Sequence, residues 1–353
     1  MRLALNLGLW GAWNDRDNVE LARCADDLGY SVCWAAEAYG SDAATVLTWV
    51  AARTTRIGLG SAVMQIPGRT PAMTAMTAAT IDRLSGGRFR LGLGVSGPQV
   101  SEGWHGVRFD HPVGRTREYV EIVRLALARK DLEYAGRYWT LPLPDGPGKA
   151  IHLTVRPVQR SLPVYLAALG PQNSRLAGEI ADGWLGLFFA PDDAGPALDP
   201  IREGRRLAGH AGPDPLSGFD VAPTVPVSVA DDLDAAADRL RPWTALYVGG
   251  MGDRRQNFYN AIACRLGFGE AAEQVQEHYL GGRPRDAAAA VPRDLIDRTC
   301  LIGSVGRIAD RMHAYAEAGV TTLSVTPHAP TQVARLDTLR RLATSLDAEG
   351  LGS

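Results

Sequence analysis

Residues 56–97 read RIGLGSAVMQIPGRTPAMTAMTAATIDRLSGGRFRLGLGVSG, and the order of patterns inside this stretch decides the fold. Its first apolar run, Ile57–Val63, is too short for a core helix and reads as a buried strand. Pro71–Leu84 then runs at helical period, with a proline suited to the first turn. A second apolar run, Phe89–Val95, closes the unit. Strand, helix and strand with no two-residue hairpin turn require parallel strands joined by a crossover helix.

The same unit recurs on both sides. Upstream, Leu3–Leu9 reads as a strand and Asn18–Leu28 as a helix, with Gly29 where a C-cap belongs. Val32–Ala36 is the next strand, and Ala43–Arg53 the next helix, capped by Ser41 or Asp42. Downstream come strand Val164–Leu169, a helix to Ala181, strand Trp184–Phe189, a helix near 199–211 and strand Asp220–Val229. Helix Arg307–Ala318, strand Thr322–Thr326 and helix Val333–Ala348 complete the series. Eight parallel strands predict an α/β fold, a closed (β/α)8 TIM barrel forming a single domain over 1–353. Two insertions interrupt it. About 131–160 is rich in Pro and Gly and reads as an excursion with a short hairpin; 231–303 is largely helical. Insertions after barrel strands lie on the C-terminal face, where they help to build a substrate pocket.

The composition is 46% hydrophobic and 22% charged with a net charge of −2, which gives no reason to expect nucleic acid or an anionic membrane as partner. No run approaches the ~18 apolar residues of a membrane span. The opening MRLALNLGLWGAWNDRD is too soon interrupted for a signal peptide. Cys24, Cys33, Cys264 and Cys300 form no CxxC pair and read as thiols of a reduced, cytoplasmic protein.

Two strand ends carry candidate anion sites. Gly92–Gly97 matches GxGxxG, but a dinucleotide fold needs a helix to start inside the glycines. Here Pro98 follows, and the helical pattern resumes only near Pro112. The better reading is a strand end where Gly94, Val95, Ser96 and Gly97 let backbone approach a ligand and offer amides and a hydroxyl to a phosphate. Leu169, Gly170, Pro171, Gln172 and Asn173 pass directly from strand to helix, and the helix N-terminus suits a phosphate. An ordinary strand–turn–helix corner would read the same way.

Glu37 ends the second strand and His328 lies just past the eighth, so both face the barrel mouth as candidate catalytic residues. A carboxylate there can move a proton or hold a ring. A solvated glutamate and a structural histidine are the plainer alternatives. His105 and His111 fall in the loop after strand four. No HExxH or clustered metal set and no GxSxG nucleophile motif occurs.

Taken together, LALNLGLW, WAAEAYGSDA, residues 56–97, RTREYVEIVR and LPVYLAALGPQNSRLAGEIADGWLGLFF resemble the luciferase-like monooxygenase superfamily, in its coenzyme F420-dependent (deazaflavin) oxidoreductase branch. The resemblance covers about residues 1–190. It implies hydride transfer between F420 and a small organic substrate, with an FMN-dependent monooxygenase as the alternative and a non-catalytic flavin-binding barrel as a third reading. It implies a non-prolyl cis peptide within Ser61-Ala62-Val63, between Ala62 and Val63, backing the cofactor ring, with Glu37 beside it. It places the cofactor phosphate near Gly94–Gly97 and Gly170–Asn173. It also implies a homodimer through the Ala43–Arg53 and Pro71–Leu84 helices, which carry Trp49, Met73 and Met76. The family's sugar-phosphate dehydrogenases have an acid–histidine pair after strand two and a glutamate after strand four. This chain has Glu37-Ala38 and Ser96-Gly97-Pro98, which keeps the acid, lacks the other two and leaves the substrate open.

Overall fold

The barrel closes by a continuous ring of parallel pairings. In a computed structural model, residues 1–8, 14–210 and 212–351 are described. The strands are β1 (Arg2–Asn6), β2 (Val32–Ala35), β3 (Gly58–Ser61), β4 (Phe89–Gly94), β5 (Val164–Ala167), β6 (Gly183–Leu187), β7 (Asp220–Val229) and β8 (Thr322–Pro327). Each pairs with its successor, and β8 returns to β1 with Leu3 opposite Leu323. This is the expected (β/α)8 barrel; the expected last residue of the first strand, Leu9, lies outside the described residues.

Alternation along the strands separates two apolar layers. Leu3, Leu5, Cys33, Val164 and Leu166 face the surrounding helices, while Ala4, Val32, Trp34 and Tyr165 fill the barrel interior. Trp34 meets Tyr165 edge-on at 5.2 Å. Both rings need a strand without side chains opposite them: a Cβ on Gly60 would lie 2.1 Å from the Trp34 ring, and one on Gly183 2.3 Å from Tyr165. Burying two such aromatics removes roughly 300–500 Å² from water and dominates the interior. At the N-terminal end, Asp220 accepts hydrogen bonds from Tyr165, Thr321 and Thr322 and pairs with Arg2 at 3.1 Å. Burial opposes the Asp220 charge, and these donors outweigh it and hold its carboxyl below the usual range.

Both interruptions are anchored. The first contains the hairpin Tyr134–Ala135 with Thr140–Leu141, whose turn amides at Arg137, Tyr138 and Trp139 donate to Glu118. Its far end is tied to the fully buried Asp82, which accepts from the amides of Val158 and Gln159. The second leaves β7 and returns through Leu301–Gly303, which pairs with Val227–Val229 of β7 itself. Between these ends, helices pack on a separate apolar cluster that includes Leu240, Val248, Ile262, Val275 and Ile296. Asp42 is the cap of the Ala43–Ala51 helix, accepting from the Thr45 amide at 2.7 Å. The sequence reading missed a short helix, Pro98–Gly103, and placed the seventh-strand approach helix late; it spans Gly195–Leu207. Six residues give too little periodicity to register, and the two prolines of the latter sit where sequence suggests a break.

Candidate active site

The C-terminal mouth has two unlike halves. In the first, β3 ends at Ser61, the Ala62–Val63 peptide is cis, and Met64–Gln65 returns to pair with β4. The Ser61 hydroxyl donates to the Gly92 carbonyl at 2.8 Å and accepts from the Gly92 amide at 2.9 Å. This approach excludes any side chain on the facing strand. A Cβ on Gly92 would sit 1.8 Å from the Ser61 carbonyl oxygen, and one on Gly94 2.6 Å from Val63. The first two glycines of the GxGxxG match, Gly92 and Gly94, are therefore explained by one strand end lying on another.

Gln65 gathers this half. It is buried, its amide donates to Glu37 Oε2 at 3.0 Å, and its side chain donates to the Ala38 carbonyl at 2.7 Å. Its Oε1 accepts from the Ser96 hydroxyl at 2.8 Å, and Ser96 adopts a left-handed φ of 61°. Glu37 Oε1 accepts from Arg69 at 2.8 Å; Arg69 also pairs with Asp42, and its carbonyl accepts from Tyr119. Burial works against the Arg69 charge, and the two carboxylates outweigh it and raise its pKa. Glu37 is thus part of a fixed ion-paired cluster and not a solvated loop residue.

Beside this cluster a narrow cleft lies at the paired ends of β4 and β5, lined by Gly94, Val95, Thr116, Ala167, Ala168 and Asn173. Thr116 Oγ1 and Asn173 Oδ1 are buried with no hydrogen-bond partner among the described residues. The Pro171–Ile180 helix starts here, and its cap residue Gly170 offers no side chain, so its first amides, including Gln172 and Asn173, lack a capping acceptor. Gly97 lies further round the rim, as the cap of the short Pro98–Gly103 helix. A second cleft runs from Ala168 and Leu169 to Phe188, Ile262 and Arg265, where the two halves meet.

The other half is aromatic. Phe188 follows β6 with a left-handed φ of 55°, uncommon for a bulky residue, and its ring stacks on Trp243 at 5.0 Å and 17°. Tyr247 lies 4.7 Å from Trp243 and meets Tyr259 edge-on at 4.9 Å. Trp243 also faces His328 at 6.4 Å. His328 is half-buried, its amide donates to the Val227 carbonyl, and its Nε2 is sealed without a partner among the described residues. Burial, aided by Arg335, lowers its pKa to about 4, so the imidazole is neutral at neutral pH. Burial pushes the Tyr259 hydroxyl up to about 12.

Glu37 and Ser96 thus meet through Gln65, Gly94, Val95 and Asn173 share one cleft, and His328 stands apart in the aromatic half. Sequence reasoning missed Gln65, Arg69, Thr116, Phe188 and the three rings of the insertion. The i, i+4 spacing of Trp243 and Tyr247 was the available signal. Among the described residues no cluster of metal-ligating side chains occurs, and no helix is long and apolar enough to cross a membrane.

The family described as luciferase-like monooxygenase matches residues 12–322. Rv3520c of Mycobacterium tuberculosis, provisionally named a coenzyme F420-dependent oxidoreductase, is 40% identical over 344 residues, covering 96% of this chain and 99% of that protein. The 5,10-methylenetetrahydromethanopterin reductase of Archaeoglobus fulgidus is 29% identical over 305 residues, 85% of this chain and 86% of its own. The solved coenzyme F420-dependent tetrahydromethanopterin reductase of Methanopyrus kandleri superposes with a TM-score of 0.83 at 26% identity over 99% of both chains.

Proposed function

This chain belongs to the luciferase-like monooxygenase family, in its coenzyme F420-dependent branch, and on that footing we propose that it passes a hydride between coenzyme F420 and a small organic substrate. When bound, the cofactor supplies a deazaflavin ring able to carry the hydride. The observation that carries the reading is the pair of orphaned atoms between β4 and β5. Leaving Thr116 Oγ1 and Asn173 Oδ1 buried and unpaired costs about 1–3 kcal/mol each. A ligand bearing sugar-alcohol hydroxyls and a phosphate answers both, Asn173 accepting from a hydroxyl and Thr116 donating to a phosphate oxygen.

In this reading Gly94–Gly97 and Leu169–Asn173 hold the phosphate end, with the uncapped helix amides facing its charge. The Ser61–Val63 segment backs the ring. Both Glu37 oxygens are already engaged, by Arg69 and by the Gln65 amide, which suits an acceptor that orients a ring better than a group that trades protons. Met73 and Met76, half exposed on the Pro71–Leu84 helix, support pairing of two copies through that helix. Four free cysteines fit a reducing, cytoplasmic setting.

Parallel titrations with F420 and FMN, followed by tryptophan fluorescence, test the reading. F420 is expected to bind more tightly, and Asn173→Ala to weaken it about tenfold. Tighter binding of FMN by about tenfold, or 1.4 kcal/mol, overturns the cofactor assignment.

A further inference from the structure

We propose that the aromatic half of the mouth is the substrate wall and selects an uncharged, flat ring compound, with His328 as its polar neighbour. The proposal rests on the F420 reading above, which puts the cofactor in the glycine half.

Three features argue for a built wall and not incidental packing. First, Phe188 is buried, whereas Trp243, Tyr247 and Tyr259 keep intermediate exposure at the edge of the insertion's apolar cluster. Aromatic faces prefer offset or edge-on contact with another flat ring. Second, the wall is held from behind. Asn257 donates to the Tyr247 and Val248 carbonyls at 3.0 and 2.9 Å, and Asn260 donates to Val248 at 3.2 Å and to Ala272 at 2.9 Å. These bonds fix the turn at Leu246–Gly250, so the rings are ordered before any ligand arrives. Third, the wall spans the mouth. Phe188 belongs to the end of β6 and His328 to the end of β8, and Trp243 touches both.

Charge is the discriminating property. Arg265 pairs with Asp193 at 3.4 Å, Arg241 with Asp238 at 2.7 Å, and Arg335 bonds to Gln332 and Asn18. Arg265 and Arg241 are paired with carboxylates, Arg335 is sealed from solvent with its field acting on His328, and His328 itself is uncharged. An anionic substrate against the rings would lose its hydration while Arg265 and Arg241 stay with their own carboxylates and Arg335 stays buried. A neutral ring meets no such penalty.

The test titrates F420-loaded and cofactor-free protein with benzaldehyde and with 4-carboxybenzaldehyde, which differ by one carboxylate, using calorimetry. Benzaldehyde is expected to bind the loaded protein about tenfold tighter than its carboxylate, a 1.4 kcal/mol difference. Trp243→Leu keeps apolar bulk but removes the ring, and should weaken benzaldehyde about fivefold while F420 affinity and melting temperature hold. Tyr247→Leu should act in the same direction, so a folding failure of one variant leaves the other to decide. Equal or tighter binding of the carboxylate, no binding of either compound, or variants within about twofold of the parent would each overturn the proposal. Failure of F420 itself to bind the parent protein counts against the cofactor reading alone; the ring preference is then judged by the same thresholds on the cofactor-free protein.

Discussion

Around the end of β4 the mouth is made of backbone: Gly92 and Gly94 lie against Ser61 and Val63 with no room for a methyl group. Around the end of β6 it is made of rings, with Phe188, Trp243 and Tyr247 stacked or tilted within about 5–6 Å. Under the proposed assignments, the first half recognises by amides and hydroxyls at fixed positions, with small tolerance to substitution and a charged ligand. The second recognises by shape and polarizability, with larger tolerance and a neutral ligand. Cofactor and substrate selection would then be divided between different chemistries on one rim.

The sharpest way to break this contrast is Gly92→Ala. Its Cβ would meet the Ser61 carbonyl oxygen, which cannot rotate away as a side chain can. We expect a loss of about 3 kcal/mol in urea denaturation, the upper range for overpacking. Gly306→Ala, where nothing lies within 4 Å, serves as the control and should be neutral or slightly stabilising. Similar losses in both would mean that the close approach at β3 and β4 does not govern that half.

The aromatic half should reveal itself through pH. The folded His328 pKa, about 4, lies below its unfolded value near 6.5. Between those values the unfolded chain binds more protons, so stability rises with pH. The contribution is fully present above pH 6.5 and is lost as pH falls towards 4, by up to about 3 kcal/mol. Denaturation of the parent and His328→Gln across this range should show a shallower slope in the variant. Parallel slopes would place His328 in a hydrated setting.

A smaller effect is expected at Glu37. Glu37→Gln should weaken F420 about tenfold, near 1.4 kcal/mol, and change kcat at saturating cofactor by less than that. A fall in kcat of about 10² or more would instead return Glu37 to proton transfer. Smallest of all, raising salt from about 0.05 to 0.5 M should weaken F420 severalfold and leave a neutral ring ligand nearly unchanged. Equal salt dependence for both ligands would erase the division between the halves.

How far sequence reasoning reached follows the same division. The barrel was readable because strand and helix periods alternate cleanly, and the glycine half because glycines at strand ends and a proline at N1 are local signals. Gln65 and Arg69 were not readable: their importance comes from partners some thirty residues away, Glu37 and Ser96, which no local period reports. Thr116 looked like any helix residue, and only the absence of a partner at the end of β4 distinguishes it. The aromatic wall lay in a stretch identified as helical insertion, but which of its rings turn towards Phe188 depends on how its short helices fold back.

That insertion begins and ends on one strand: Ala230 donates to the Gly303 carbonyl at 3.0 Å, and Val229 lies opposite Gly303. Its two ends are therefore about one strand spacing apart, near 4.8 Å. The entropy of closing a loop between such ends grows only logarithmically with its length. The insertion also carries an apolar cluster of its own, which takes in Phe188 and Ala190 and has Leu169 and Leu187 packed against it. In chain connectivity the segment is thus a single closed stitch on β7. Under the proposed assignment of the aromatic wall, sequence drift inside the stitch would change what the mouth admits and leave the register of the eight strands beneath it in place.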